Sequence, residues 1–250
     1  MQGAEIALLV VGAAIAGFVQ GLSGFAFGMV AMSIWVWAID PKVAVVMSIA
    51  GGLSGQIFAA VRLRRGLQWP LLWPFLAGAL AGVPLGVVVL PYVDAVVFKF
   101  GLGVTLMVCC SAMLFAQRFP RVTRGGRIGD GLAGLAGGVM GGLGGFTGVV
   151  PSLWCTVRGW DKDTARAVLQ NFNLAALSVT FATYVGTGMV TREMWPLFAV
   201  VVPALLIPSV LGTRLYVGLS EAAFRRVILG LLTFSGLVMI ASSLPVLLKR

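Results

Sequence analysis

The sequence predicts an all-α, polytopic membrane protein of two inverted repeats, each a glycine-tipped helical hairpin followed by three transmembrane helices. The first observation behind this prediction is composition: 59% of the 250 residues are apolar, 10% are charged, and the mean hydropathy is +1.02. These values lie far outside the range of soluble domains. Apolar runs of about 20 residues recur along the chain, which is the length that a bilayer core requires of a spanning helix. We therefore expect the lipid bilayer to surround most of the chain.

The apolar runs divide into two sets of four, separated by an arginine-rich stretch. We predict a first transmembrane repeat at 1–116, a basic cytoplasmic linker at 117–127 and a second repeat at 128–250. The runs lie at 6–39, 43–61, 69–90 and 96–116 in the first half, and at 128–157, 164–184, 195–215 and 227–248 in the second.

The second observation is an internal duplication. Gly21-Leu22-Ser23-Gly24-Phe25 lies in the first run of one half, and Gly142-Leu143-Gly144-Gly145-Phe146 lies in the first run of the other. A shift of 121 positions superposes the two motifs and also places Asp40 on Asp161. With small further shifts, three more features coincide: Trp69 with Trp195, Pro84 with Pro208, and Phe98-Lys99 with Phe224-Arg225. The chain is therefore one duplicated unit.

The third observation is the placement of the 18 lysines and arginines, which fall in short clusters between apolar runs. The formal charge of +10 therefore indicates membrane topology, and we expect no nucleic-acid partner. If each broken run crosses the membrane once, the halves are parallel and ten of the 18 residues are cytoplasmic. If each broken run is a hairpin, the halves are inverted and thirteen are cytoplasmic. The positive-inside rule thus favours hairpins, with both termini outside the cytoplasm.

Each glycine motif interrupts an apolar run, and irregular backbone at membrane depth is tolerated only inside protein or beside a wet cavity. We expect two half-helices to meet near the midplane in each repeat. A helix that starts at such a tip directs free N–H groups and a partial positive charge at its ligand, which suits an anion. The alternative is that the glycines serve only close helix packing.

The candidate substrate-binding set consists of the two tips and nearby polar or aromatic side chains. For the amides of the sixth run, at 164–184, interhelical hydrogen bonding is an equally plausible role. The set is Gln20, Gly21, Ser23, Gly24, Phe25, Gly142, Gly144, Gly145, Phe146, Thr147, Trp154, Gln170 and Asn173.

The eight carboxylates are expected at or near segment ends, and the chain has no histidine. A relay of buried acids is therefore not expected, and neither is a metal site or a cofactor. The absence of buried acids fits a negatively charged substrate. Gly21-Leu22-Ser23-Gly24 matches the nucleophile signature of intramembrane serine proteases, but their serine needs a histidine base. We predict no catalytic residue and no enzyme.

Several of these motifs together resemble the sulfite exporter TauE/SafE family of bacterial inner-membrane transporters. The resemblance covers nearly the whole chain. It rests on the stretch from Gly17 to Phe25, on Gly141 to Phe146 with Pro151 following, on Asp40-Pro41-Lys42, and on Gly78 to Gly86.

The resemblance implies transport of sulfite or a small organosulfonate, usually outward, in the bacterial cytoplasmic membrane. Our leading hypothesis is a secondary anion transporter that uses alternating access between the two tips. A passive anion channel and a non-transporting scaffold subunit are the alternatives. A homodimer is considered, with no residue assigned to its interface.

Overall fold

A computed structural model describes residues 3–63, 66–118, 121–122, 125–215 and 221–249. Within these ranges the chain forms ten α-helices, three single turns of 3-10 helix and short loops. In order the helices are α1 (Gly3–Ser23), α2 (Phe27–Trp35), α3 (Pro41–Leu63), α4 (Trp69–Val89), α5 (Ala95–Phe115), α6 (Gly126–Gly144), α7 (Val149–Val157), α8 (Lys162–Gly186), α9 (Trp195–Leu215) and α10 (Glu221–Leu248). The predicted all-helical architecture is confirmed.

Six of these helices are long and apolar enough to cross a bilayer, judged by length and composition over the described residues: α1, α3, α4, α5, α9 and α10. The remaining four are α2 and α7, which have nine residues each, the glycine-rich α6, and the more polar α8. Every predicted apolar run contains one helix, or two where a glycine motif breaks it. Part of the basic linker lies outside the described residues, as do Arg64, Arg65, Arg124 and Arg250.

In the first hairpin, α1 ends at Gly24, whose φ is +85° and whose N–H donates to the Gln20 carbonyl. A left-handed glycine with this bond is a common helix terminator, because a Cβ would strain the conformation. The chain then reverses, and α2 folds back along α1 until the Trp35 indole covers Gly12. The break is therefore where the motif predicted it.

The second hairpin repeats this geometry. Gly145 has a φ of +79°, and its N–H donates to the Gly141 carbonyl. The return helix α7 places Pro151 beside Gly137 and the Trp154 indole beside Gly129. Residue numbers therefore decrease along α6 as they increase along α7, so the two helices are antiparallel.

The limbs of the two hairpins are unequal, which corrects the expectation of two half-helices. The first limbs, α1 and α6, have 21 and 19 residues, whereas each return limb has nine. The physical reason is that helix continues without interruption up to the left-handed glycine. The break therefore lies near the end of a full-length helix and not at its middle.

Each hairpin packs chiefly against a helix of the other half. Gly17 of α1 lies against Leu205 of α9, and Gly21 lies against Ser209, so α1 and α9 run parallel. A Cβ on either glycine would meet the backbone of α9. Small residues allow this close approach of backbones, which is how helices associate in membranes.

The same arrangement joins α6 to α4. Glycines alternate across this interface at 78, 82 and 86 on α4 and at 134, 138 and 142 on α6, and each faces the backbone of the opposite helix. Residue numbers increase in the same direction along α4 and α6, so these two helices are also parallel. At the centre, α3 packs on α8, where Leu177 meets Gly52.

The last helices of the two halves, α5 and α10, form an antiparallel pair. Gly103 lies beside Met239 and Ile240, whereas Gly236 lies beside Leu106 and Met107. Residue numbers therefore increase along α5 in the direction in which they decrease along α10.

Aspartates cap three helices that follow short loops. The carboxylates of Asp40, Asp94 and Asp161 accept hydrogen bonds from the first-turn backbone of α3, α5 and α8. Hydrogen bonds from the backbone and side chain of Thr164 lower the pKa of the exposed Asp161 carboxyl. Asp40 and Asp161 occupy equivalent places in the two repeats, so the duplication extends to the helix caps.

Candidate functional site

The two hairpin tips touch one another in the interior of the protein. A Cβ built on Gly148, just after the second tip, would lie 2.8 Å from the Cβ of Phe25 in the first tip. A Cβ on Gly28, at the start of α2, would lie 2.8 Å from the Gly145 carbonyl oxygen. Only glycine allows these approaches, because any side chain would separate the tips.

Two glutamines hold the first tip against α3. The Gln20 side-chain amide on α1 donates to the Gly52 carbonyl of α3 at 3.1 Å. In return, the Gln56 amide on α3 donates to the carbonyl of Gly24 at 2.6 Å. Both glutamines are buried. Gly55 gives the Gln20 amide its space, since a Cβ at that position would collide with it.

The second tip is held by hydroxyl groups from α3 and α8. Ser48 of α3 donates to the Gly144 carbonyl at 2.9 Å, and Tyr184 of α8 donates to the Gly142 carbonyl. At the tip itself, Thr147 donates to the Asn173 side-chain oxygen at 2.8 Å. Helices α3 and α8 therefore form the frame on which both tips rest.

Helices α2 and α7 begin at the two tips; in α7 the Val149 N–H donates to the Phe146 carbonyl, and Pro151 has no N–H. In the part of the chain that the structure describes, no side chain caps the N-terminus of either helix, at Ala26 or at Gly148. The hydroxyl of Ser23 instead accepts from the backbone N–H of Ala26 within the turn, at 3.2 Å. The Asn173 amide nitrogen, beside Gly148, has no hydrogen-bond partner among the described residues.

The tips differ in exposure. Gly24 is exposed, and its neighbours Ser23 and Phe25 are half-buried. In the second tip, every residue from Gly144 to Gly148 is buried. A Cβ on Gly24 would enter open space, whereas one on Gly145 would lie 3.0 Å from the Ser48 hydroxyl. The first tip therefore reaches the surface of the protein, whereas the second is enclosed.

The structure brings most of the predicted residues together. Gln20, Ser23, Gly24 and Phe25 form the first tip and its anchor. The second tip and its anchor comprise Gly144, Gly145, Phe146, Thr147 and Asn173, with the buried Phe146 ring beside Gly144. Gln170 is also buried, about one turn before Asn173 on α8.

Three predicted residues have other surroundings. Gly21 packs on Ser209 of α9, and Gly142 packs on Val83 and Gly86 of α4. Both glycines lie on the faces that join the two halves, so the packing alternative holds for them. Trp154 lies along α7 at the far end of the second hairpin, beside Gly129, and not at the tip.

The Trp154 indole nitrogen donates to Asp130 of α6 at 2.7 Å. The guanidinium of Arg158 lies 3.9 Å from the same carboxylate. Asp130 is only 3% exposed, which corrects the expectation that the protein contains no buried acid. Its position near the start of a helix made it look like a residue of the segment end. Because it is paired and distant from the tips, it leaves the charge of the site unchanged.

Three residues of the site were missed: Gln56, Ser48 and Gly148. The sequence marks Gln56 as a polar residue inside an apolar run, which was the available signal. Ser48 and Gly148 carry no signal of their own, because their partners lie about 96 and 123 positions away in the chain. Within the described residues, no three His, Cys, Asp or Glu side chains are grouped to hold a metal ion.

A bundle of spanning helices around two interrupted hairpins that meet in its interior is the architecture of a membrane transporter. The family model for the sulfite exporter TauE/SafE matches residues 9–239. The chain therefore belongs to the sulfite exporter TauE/SafE family, whose members are membrane transporters of sulfur anions. It is a multi-pass membrane protein. Comparison with curated proteins and with solved structures gave no match.

Proposed function

We propose that this protein is a secondary transporter of the bacterial cytoplasmic membrane that exports sulfite or a small organosulfonate by alternating access. The observation that carries the proposal is the meeting of the two tips. There, the uncapped first turn of α7 and the unpartnered amide nitrogen of Asn173 lie together in a buried position. Buried donors without a partner are rare, because each costs about 1–3 kcal/mol.

An anion at this position would accept a hydrogen bond from the Asn173 amide and would be stabilised by the positive ends of α2 and α7. A sulfonate or sulfite group offers several acceptor oxygens and needs no donor on that side. The absence of a carboxylate from the tips means that nothing there repels the negative charge.

The proposed topology is an inverted repeat. It is supported by the antiparallel packing of α5 on α10, the fourth elements of the two halves. The distribution of basic residues, thirteen to five, supports it as well. In this topology the first tip points toward the cytoplasm and the second toward the periplasm. The exposure of Gly24 and the burial of Gly145 then correspond to a state that is open to the cytoplasm.

The test is a thermal-shift screen of the detergent-purified protein against sulfite, thiosulfate, sulfate, sulfoacetate, taurine and neutral amino acids. A ligand at a hundredfold excess over its Kd stabilises the folded state by about 2.7 kcal/mol. We expect stabilisation by a sulfur anion and none by the neutral amino acids. Stabilisation by neutral or cationic solutes alone would contradict the anion site.

Two variants test whether an anion that stabilises the protein binds at the tips. Asn173→Leu removes the unpartnered donor and should abolish the response to the anion. Thr183→Val is the matched control on the same helix, because the Thr183 hydroxyl bonds only its own helix, at Val179. An equal response from both variants would remove Asn173 from the site.

Flux then separates the mechanisms. In proteoliposomes a carrier saturates and shows counterflow of labelled substrate, whereas a channel conducts current without counterflow. A scaffold subunit would show neither flux nor ligand-dependent stabilisation.

A further inference from the structure

The two glutamines at the first tip are each held by one hydrogen bond from the side-chain amide. Each amide uses its NH2 group to donate to a backbone carbonyl, Gln20 to Gly52 and Gln56 to Gly24. Because only the NH2 of an amide can donate to a carbonyl, these bonds fix the orientation of both side chains. The Oε1 atoms of Gln20 and Gln56 must then be the free ends of the two amides.

Neither Oε1 atom has a hydrogen-bond partner in the part of the chain that the structure describes, although both residues are more than nine-tenths buried. The pairs are interlocked: Gln20 and Gly24 are one turn apart on α1, and Gly52 and Gln56 are one turn apart on α3. Both side chains therefore lie at the contact between α1 and α3. Two buried acceptors without a donor require a ligand that is a donor or a cation.

Other features of this region favour a cation. Helix α1 ends here, and its last turn contains no basic residue, so no cationic side chain of that turn lies at the negative end of the helix. The Gly24 carbonyl adds a further oxygen with a second lone pair. Along α3, the nearest basic side chain in sequence is Arg62, which stacks on Phe58 and is exposed.

The oxygens available at the first tip are uncharged, which favours a monovalent cation over a divalent one. Divalent Ca²⁺ and Mg²⁺ sites in proteins are built around carboxylates. No carboxylate of the described chain lies at this tip, and the buried acid, Asp130, is bonded to Trp154 in the other hairpin. Neutral amide and backbone oxygens at the end of a helix are the ligands that bind coupling ions in transporters with broken helices.

We propose that the Oε1 atoms of Gln20 and Gln56, with the Gly24 carbonyl, bind a monovalent alkali cation, with sodium as the probe ion. The site lies beside the donors of the second tip, because Phe25 touches Gly148. One end of the paired tips therefore holds a cation and the other an anion. The inference goes beyond the proposed function and does not depend on which anion is carried.

The experiment measures the melting temperature of the purified protein in NaCl, KCl and N-methylglucamine chloride at constant ionic strength, without added sulfur anion. We expect the alkali cation to raise the melting temperature in a saturable way and N-methylglucamine to leave it unchanged. Gln20→Met and Gln56→Met keep the side-chain length but lose the oxygen, and should abolish the response. Asn171→Leu is the control, because the Asn171 amide bonds only Ala167 of its own helix.

Gln20→Glu keeps the test usable if the methionine variants do not fold. A carboxylate at this position adds a negative charge, which attracts a cation. We expect the sodium concentration at half-maximal effect to fall at least about tenfold. An unchanged midpoint would overturn the proposal.

Two further outcomes would overturn it. The first is equal stabilisation by all three chloride salts. The second is a response to taurine, which carries its own ammonium group, without any response to sodium; the glutamines would then bind the cationic end of the substrate. In both cases a selective response to sulfur anions would leave the proposed transport function standing.

Discussion

Gly24 has a backbone conformation that L-residues rarely adopt, yet a side chain there would have room. Its φ is +85°, and no atom lies within 4 Å of a Cβ built on it. The requirement for glycine is therefore conformational and not steric. This distinguishes Gly24 from Gly17 or Gly21, where a Cβ would strike the backbone of α9.

We expect Gly24→Ala to lower the free energy of unfolding by about 1–2 kcal/mol, because the left-handed conformation is strained for alanine. The matched control is Gly101→Ala in α5, which also meets no atom but lies in ordinary helix. That change should be neutral or stabilise by up to about 1 kcal/mol. Both values come from thermal unfolding in detergent. Equal effects of the two changes would mean that the φ of Gly24 imposes no requirement.

At the same scale, the sequence indicates which residues are polar inside apolar runs but not which of them meet. Gln20 was predicted in the site, whereas its reciprocal partner Gln56 was not, although both are glutamines on apolar helices. Gln20 adjoins the first glycine motif in the sequence, whereas Gln56 lies 32 positions from Gly24, the tip residue that it contacts. Periodicity within one helix contains no information about such partners.

The two hairpins share their geometry but close differently at the end far from the tip. In each, a tryptophan of the return helix covers a glycine of the first limb: Trp35 covers Gly12, and Trp154 covers Gly129. Among the described residues the Trp35 indole nitrogen has no partner, whereas that of Trp154 bonds to Asp130. The second hairpin is therefore closed by a polar clamp and the first by packing alone.

We expect the contacts of Asp130 with Trp154 and Arg158 to raise the free energy of unfolding. Asp130→Leu leaves the Trp154 indole without its acceptor and the Arg158 guanidinium without its charge partner, and breaking a buried ion pair costs about 3 kcal/mol. The comparison is Asp163→Leu, because Asp163 is exposed in the first turn of α8 and should cost less than about 1 kcal/mol. Thermal unfolding measures both. If Asp130→Leu costs no more than the control, the clamp does not stabilise the hairpin.

Element boundaries were the most predictable part of the fold. The end of an apolar run marks the end of a helix in lipid, and aspartates mark the starts of α3 and α8. The lengths of the hairpin limbs were not predictable, because a glycine motif shows where a helix stops but not how deep that point lies. The same limit applies to the glycines themselves: only the structure distinguishes those at the tips from Gly142, which packs on α4.

Across the whole molecule, the proposed inverted topology assigns a side of the membrane to each end of the described chain. A Lys249→Cys variant, with the three native cysteines replaced by alanine, should react in intact cells with a membrane-impermeant maleimide added outside. Val122→Cys is the control, since the linker is assigned to the cytoplasm and should react only after permeabilisation. Labelling of both positions only after permeabilisation would favour parallel repeats.

The cross-packing of the halves also bears on how the protein is made. The partner of α1 is α9, and Leu205 follows Gly17 by about 190 positions. At a synthesis rate of 5–20 residues per second, α1 is in the membrane for roughly 10–40 s before its partner emerges. During that interval its glycine face must be covered by lipid or by the insertion machinery. Helix α1 thus reaches its final neighbour only after most of the described chain is made, and a ribosome that stalls before α9 leaves behind a first repeat whose α1 lacks its main packing partner.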